Sequence, residues 1–329
     1  MKTAFRRREF ITLLDGAAAA WPIAAGAQQV GRTRRVSLIT QAAENQPGTQ
    51  DAIAAFREAL AKLGWIEGRN LLIDLRYGDG DAERIRAHAA ELARLAPDVI
   101  VTGGAVPTRA SQQQTQAIPI VMTGAGDPVS FGLVGSLARP EGNVTGFTNL
   151  YPSIGGKWLE LLKEAVPRIV RVAVIVGPEI ATGTYDDSID AAAPSFALQT
   201  SKMPVRNAVD LVRSIDAFAA EPNGGLLVTP FTINHDTIIQ LALTHRLPTI
   251  FSNRADAVAG GLLSYGSNLA DRFRSAAGYV DRLLRGAKVS ELPVQFPTKF
   301  ELVVNLKTAK AIGLAIPESF LLRADEVIE

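Results

Sequence analysis

Asp127, in the run Gly124-Ala125-Gly126-Asp127-Pro128, is the side chain whose type and place point most directly to chemistry. It follows the strand-like residues 118–122, so a carboxylate stands where a strand ends and a turn begins. Two readings fit it. An Asp-Pro after a strand serves as a turn or helix N-cap, its oxygens accepting backbone N–H groups. Alternatively, the carboxylate stands at the mouth of a cleft and pairs with a ligand ammonium. Arg254, just past another strand-like run, is open in the same way between a bidentate hold on a carboxylate and a salt bridge between lobes. Tyr77, Tyr185, Phe231 and Tyr265 fall at expected strand ends, where an aromatic ring either covers a ligand face or simply packs. Thr40, Gln41 and Phe147 close other strands, and Gly103, Gly104 and Gly126 offer bare backbone for close approach. These eleven positions, Tyr77 set aside, are the expected ligand-binding set.

Other chemistries find little footing. The three histidines, His88, His235 and His245, lie on expected helices without ligand-like spacing, so no metal site is expected. No GxSxG elbow, phosphate-binding loop or HExxH occurs, and Gly124-Ala125-Gly126 lacks the third glycine of a dinucleotide fingerprint. With no cysteine, disulfides, thiolate metal sites, a cysteine nucleophile and a lipid-modified cysteine are all excluded. No cofactor is expected, and no nucleophile–base–orienter set suggests an enzyme.

The elements that must position these residues are short apolar runs. Residues 99–101 stop at Thr102-Gly103-Gly104, 118–122 at Thr123-Gly124, and 143–147 at Thr148-Asn149. Runs without alternation suit a parallel sheet covered by helices on both faces. Ligands of such sheets sit outside the carboxyl ends of the strands. The pattern then repeats: 225–231, a helix over 235–244, and 246–251 ending at Ser252-Asn253-Arg254. Two copies of one α/β lobe facing each other across a cleft are therefore expected. In the first, strands at 35–40 and 70–76 and helices at 49–64 and 81–95 precede the stretch just described. In the second, a strand at 172–176 opens a sheet and helices are expected at 154–166, 191–197 and 208–218. A long amphipathic helix at 269–285, an extended crossing at 292–296, a strand at 300–306 and a helix at 307–313 follow. The tail, 320–329, packs on a lobe that no residue pattern assigns.

The chain has 329 residues, enough for two lobes with cores of their own. Its formal charge is +1; setting aside the four Lys/Arg and two Asp/Glu of the first 27 residues leaves 30 basic and 31 acidic, or −1. That balance gives no electrostatic case for nucleic acid or a membrane surface. The N-terminus reads as an address: Arg6-Arg7-Arg8-Glu9-Phe10-Ile11, an apolar stretch interrupted by Asp15, and Ala25-Gly26-Ala27 as a small-x-small cleavage site.

Taken together, Arg6 to Leu14, Gly126-Asp127-Pro128-Val129, residues 136–148 (SLARPEGNVTGFT), 260–266 (GGLLSYG) and 292–310 with its PTKFELVVNLKTAK run resemble the ABC-transporter substrate-binding proteins of the tryptophan/tyrosine type. The resemblance spans nearly the whole chain. It implies a type I periplasmic binding protein fold: α/β, two Rossmann-like lobes with parallel sheets, joined by a three-crossing hinge that closes on a small ligand. Residues 1–27 are then the export signal, 28–149 lobe one, 150–266 lobe two, and 267–329 a returning helix, third crossing and tail. The implied role is the periplasmic solute-binding component of an ABC importer, with a small polar or amino-acid-like ligand, aromatic ones included. Its partners would be that ligand and an inner-membrane permease, with no nucleic acid, and the protein would act as a monomer. A periplasmic sensor passing occupancy to a membrane receptor is the alternative. The loops 40–46 and 102–108 are unusually polar for the family, so the ligand can differ from that of its relatives.

Overall fold

The computed structural model of the chain describes all residues except 1–31, 47, 150, 152, 178–184, 231 and 233. The expected export signal and Phe231 therefore lie outside the described residues. The first sheet holds β1 (Arg34–Thr40), β2 (Leu71–Tyr77), β3 (Val99–Gly103), β4 (Ile120–Thr123) and β5 (Val144–Phe147), in the order β2-β1-β3-β4-β5. All its pairs are parallel. Its helices are α1 (Thr49–Lys62), α2 (Ala82–Arg94) and α3 (Ala105–Gln114).

The second sheet holds β6 (Arg171–Val176), β7 (Gln199–Pro204), β8 (Gly224–Val228), β9 (Thr249–Phe251), β10 (Leu263–Ser267), β11 (Phe300–Asn305) and β12 (Glu326–Ile328). Their order is β12-β11-β10-β9-β8-β6-β7, and only β10 and β11 pair antiparallel. The accompanying helices are α4 (Ile154–Ala165), α5 (Asp186–Ala192), α6 (Ala208–Ala219), α7 (His235–His245), α8 (Arg254–Val258), α9 (Leu269–Leu284), α10 (Leu306–Ala311) and α11 (Glu318–Leu321). None of the described helices is long and apolar enough to cross a membrane.

The unbroken apolar runs explain the layering. Along β3, Val99 and Val101 join the core under α1 and α9, while Ile100 joins the core on the other face with Ile85, Leu92 and Ala110 of α2 and α3. Each strand thus buries both faces, and each fully buried Val, Leu or Ile contributes roughly 1.5–3 kcal/mol. Asp81 caps α2 by accepting from the N–H of Glu83 and Arg84, and Asp98 ties the start of β3 to β1 through Arg34 and the Arg35 N–H.

The long helix α9 follows β10 of the second sheet yet packs on the first lobe. Its Phe273 ring meets Phe56 of α1 edge-on at 6.3 Å, and Asp281 accepts from the Trp65 indole at 2.8 Å. Residues 292–295 then run beside β5, with the Gln295 N–H donating to Gly146 O at 2.9 Å and the Thr148 N–H to Gln295 O at 3.0 Å. From there the chain crosses back into β11. Three connections therefore join the lobes, and aromatic rings cluster on them. Tyr151 meets Phe296 and Phe300 edge-on, and Phe300 stacks on Tyr265 at 5.6 Å.

Two details differ from the sequence reading. The helix expected at 191–197 starts earlier as α5 and gives way to a 3₁₀ turn at Ala193–Phe196, because Pro194 has no N–H to continue the α-helical ladder. The tail is assigned by β12, which pairs in parallel with β11 and so belongs to the second sheet.

Candidate functional site

The order of the first sheet reverses between β1 and β3, since the chain steps one way to β2 and the other way to β3. Thr40 and Gly103 are paired in register at the carboxyl ends of those two strands. Where neighbouring connections leave in opposite directions, a crevice opens that ligands use. A cavity of about 500 Å³ lies there, lined by Thr40, Gln41, Gly103 and Gly104 together with the loop residues Ala42, Ala43 and Gln46. Its size falls within the roughly 300–1,000 Å³ of small-molecule sites. Thr49, Ala52 and Ile53 of α1, then Asp79, Gly80, Thr123, Gly124 and Asn149, and finally Leu269, Arg272 and Phe273 of α9 complete the lining.

Arg272 decides the character of the site. It sits in the first turn of α9, with its guanidinium laid against the backbone of Gly124. A Cβ at position 124 would lie 2.5 Å from Nη1, and Gly124 also has a φ of 102° that disfavours any other residue. Nε and Nη1 are sealed from solvent and have no hydrogen-bond partner among the described residues. The rest of the side chain stays partly accessible, as a cavity wall must. Burial pushes the Arg272 pKa down to about 10, against the opposing influence of Tyr185. Tyr185 is itself buried on the lobe-two side, its ring 5.1 Å from Trp158, and burial raises its phenol well above the usual range.

The cavity meets a second positive feature. Helix α3 starts at Gly104 with no side-chain cap and no acidic residue in its first turn. The first N–H groups of a helix have no partner within it and carry the positive end of its dipole. On the acidic side, the lining contains Asp79, which is more than half exposed and bridges to Arg84 at 3.3 Å. Asn149 is fixed by accepting the Gly126 N–H at 2.8 Å. Such a lining can hold an anionic head group, with Ile53, Leu269 and Phe273 offering apolar surface to the remainder.

Of the expected binding set, the structure brings Thr40, Gln41, Gly103 and Gly104 together in this cavity. Gly126 lies one turn away, its N–H on Asn149 and its carbonyl accepting from the Thr148 hydroxyl. Asp127 uses its carboxylate on the N–H groups of Val129 and Ser130 and on the Ser130 hydroxyl, which is the turn-capping arrangement. Phe147 packs against Tyr279 at 4.8 Å. Arg254 is held bidentate by Glu326 at 2.6 and 2.7 Å within the second lobe. Tyr265 stacks on Phe300, and its carbonyl accepts from the Trp158 indole at 2.7 Å. Phe231 falls among the residues left undescribed. Arg272, Asn149, Asp79 and Gln46 were not in the expected set. Arg272 had a signal: it shares a helical face with Ala276, Tyr279 and Leu283, so a cation stands on the buried stripe of an amphipathic helix.

The histidines make ordinary contacts. His235 lies between Asp256 at 2.7 Å and the Thr232 carbonyl at 2.9 Å, and His245 meets Asp216 at 2.7 Å. No group of three His, Cys, Asp or Glu among the described residues could hold a metal ion.

Residues 39–328 match the model of the family described as ABC transporter substrate binding protein. The chain belongs to that family. It is 27% identical over 283 residues to a tyrosine-binding protein of Clostridioides difficile, covering 84% of this chain and 80% of that one. A conserved domain protein of Vibrio cholerae is similar in structure, with a TM-score of 0.79 and 25% identity over 90% of this chain and 100% of that one. A Streptococcus pneumonia ABC domain solved with L-Trp has the same TM-score and coverages at 22% identity. The fold of this substrate-binding protein is thus the type I periplasmic binding protein fold, with two α/β lobes.

Proposed function

We propose that this substrate-binding protein is the exported component of an ABC importer and that Arg272 receives the carboxylate of its small-molecule ligand. The observation that carries this reading is the Arg272 guanidinium in the cavity wall, laid against Gly124 just after β4, with Nε and Nη1 lacking a partner among the described residues. An unpaired buried charge costs several kcal/mol. Proteins keep such a cost where function uses it. A carboxylate offers the fork of two oxygens that a guanidinium fits, and a desolvated pair is stronger than an exposed one. The relative named for tyrosine and the neighbour holding L-Trp both concern small molecules with a carboxylate, which supports this head group.

The ligand first docks on the lobe-one loops. Closure about the three crossings then brings lobe two, with Tyr185 beside Arg272, over the bound molecule. A ligand that touches both lobes only when they are closed shifts the population toward that state. The closed form is what a permease in the inner membrane recognises. The protein acts as a monomer, by binding and not by turnover, after residues 1–27 have directed it to the periplasm.

The test is a thermal-shift screen of small organic acids, with Arg272→Gln as the control. Each unit of pKa depression is worth about 1.36 kcal/mol, discounted here because the cavity admits water, so losing the guanidinium raises ligand-free stability by on the order of 1–3 kcal/mol. The same change costs roughly 2–5 kcal/mol of binding, about thirtyfold or more. A variant that is no more stable and binds equally well would sink the reading.

A further inference from the structure

We infer that His235 is a positioning residue of the second lobe: its doubly protonated ring, held between two acceptors, fixes the turn after β8, and ligand affinity falls when the ring loses its second proton. This rests on the reading that lobe two closes over the bound molecule. Strands β7-β6-β8-β9-β10 repeat the order β2-β1-β3-β4-β5 of the first sheet, so β6 and β8 stand where β1 and β3 stand. The turn after β3 lines the cavity through Gly103 and Gly104, and the turn after β8 holds the matching place in lobe two.

Thr232 anchors that turn. Its hydroxyl lies 3.2 Å from both the Ile175 carbonyl of β6 and the Thr229 hydroxyl, and its carbonyl faces His235 Nε2 at 2.9 Å. Across the ring, Oδ1 of Asp256 in α8 meets Nδ1 at 2.7 Å. A carbonyl and a carboxylate only accept, so both bonds form together when each ring nitrogen carries a proton. Of the other groups packed round the ring, Asp236 of α7 adds negative charge, and Phe251 of β9, its centroid 5.8 Å away, adds none. Burial opposes the charged ring, yet these partners hold the His235 pKa above its usual value. When the second proton leaves, one donor remains. Asp256 is buried and its Oδ2 has no partner among the described residues, so the remaining proton stays on the carboxylate side. Nε2 then turns a lone pair on the Thr232 carbonyl, and the turn loses that anchor.

The experiment is a pH series on the full mature protein and on His235→Gln. NMR follows the histidine ring nitrogens and the Thr232 carbonyl carbon without ligand, and calorimetry follows binding of L-tyrosine and L-tryptophan. The variant also separates the His235 signals from those of His88 and His245. Both ring nitrogens should be protonated at the acid end, one proton should leave with a midpoint above about 6.5, and the Thr232 carbonyl signal should move with it. Over the same step, affinity for the amino acid that binds should fall about fivefold or more relative to His235→Gln, the low end of ordinary coupling between two sites. A Thr232 carbonyl that does not follow the ring overturns the inference. So does an affinity that keeps the same pH profile in His235→Gln, which leaves the carboxylate reading untouched. If neither amino acid binds at any pH, the series is repeated with an organic acid from the thermal-shift screen; if none of those binds, the carboxylate reading falls and this inference with it.

Discussion

Gly124→Ala tests whether the guanidinium is where its chemistry requires it to be. The new Cβ would meet Nη1 at 2.5 Å, Cζ at 3.2 Å and the Asn149 side chain at 3.4 Å. The contacted atoms of Arg272 are the far end of a flexible side chain, so the clash is relieved by moving the guanidinium and not the backbone. The stability cost is then mainly that of holding a non-glycine residue at φ 102°, on the order of 1–3 kcal/mol. For lobes of this size that corresponds to a fall in Tm of roughly 2–4 °C per kcal/mol. Binding should suffer more, because a displaced fork no longer meets its carboxylate; a loss of about 2–5 kcal/mol is expected. Calorimetry and thermal unfolding of Gly124→Ala, Arg272→Gln and the double variant separate the two effects. In the Arg272→Gln background the added methyl should cost stability but no further affinity. If Gly124→Ala binds its ligand as tightly as the unchanged protein, the guanidinium is not the receiving group.

Other outcomes follow from the contacts of the remaining candidates. Asp127→Ala should lower thermal stability by about 1 kcal/mol through the lost cap while changing ligand affinity less than about threefold; a large affinity loss would return Asp127 to the site. Arg254→Ala breaks an exposed bidentate pair with Glu326 and should cost no more than about 1 kcal/mol of stability, again with unchanged affinity by calorimetry. His235 is opposed by burial, but its hydrogen bond to Asp256, the Asp256 charge and the Thr232 carbonyl together raise its pKa. Its stabilisation is therefore complete below the unfolded value of about 6.5 and is lost as pH rises through the higher folded value. Unfolding midpoints should decline over that window, and His235→Gln should flatten the decline. Changing Arg7 and Arg8 together to Lys should hold the protein in the cytoplasm of its host, as cell fractionation would show.

Much of the fold was legible because its cause is local. The unbroken runs at 99–101, 118–122 and 172–176 suit strands buried on both faces; β3 and β6 bury theirs so, while β4 starts at Ile120 and leaves Ile118 and Pro119 half-buried before it. That Thr40, Gln41, Gly103 and Gly104 would line one cavity was legible for the same reason, since a strand that stops at Thr-Gly-Gly exposes backbone at a carboxyl end. The buried stripe of α9 marked Arg272 as unusual, but its place in the cavity depends on α9 returning to the first lobe, where Asp281 meets Trp65 from 216 positions away, which no local pattern states. Asp127 shows the converse. Its position after a strand was read from sequence, but a three-residue reach to Ser130 competes with any distant ligand, and the short contact is the one observed. Arg254 faced a similar competitor in Glu326, which only the pairing of β12 with β11 brings near.

The central claim is that a ligand carboxylate completes the pairing of Arg272. The most direct measurement is a crystal structure of the protein with an acid that the thermal-shift screen finds to bind. The expected result is a carboxylate in the cavity between the Gly103–Gly104 and Gly124 turns, with its oxygens within hydrogen-bonding distance, about 2.7–2.9 Å, of the Arg272 guanidinium. A ligand seated elsewhere, or seated in this cavity with its carboxylate turned away and Arg272 still unpaired, would contradict the account.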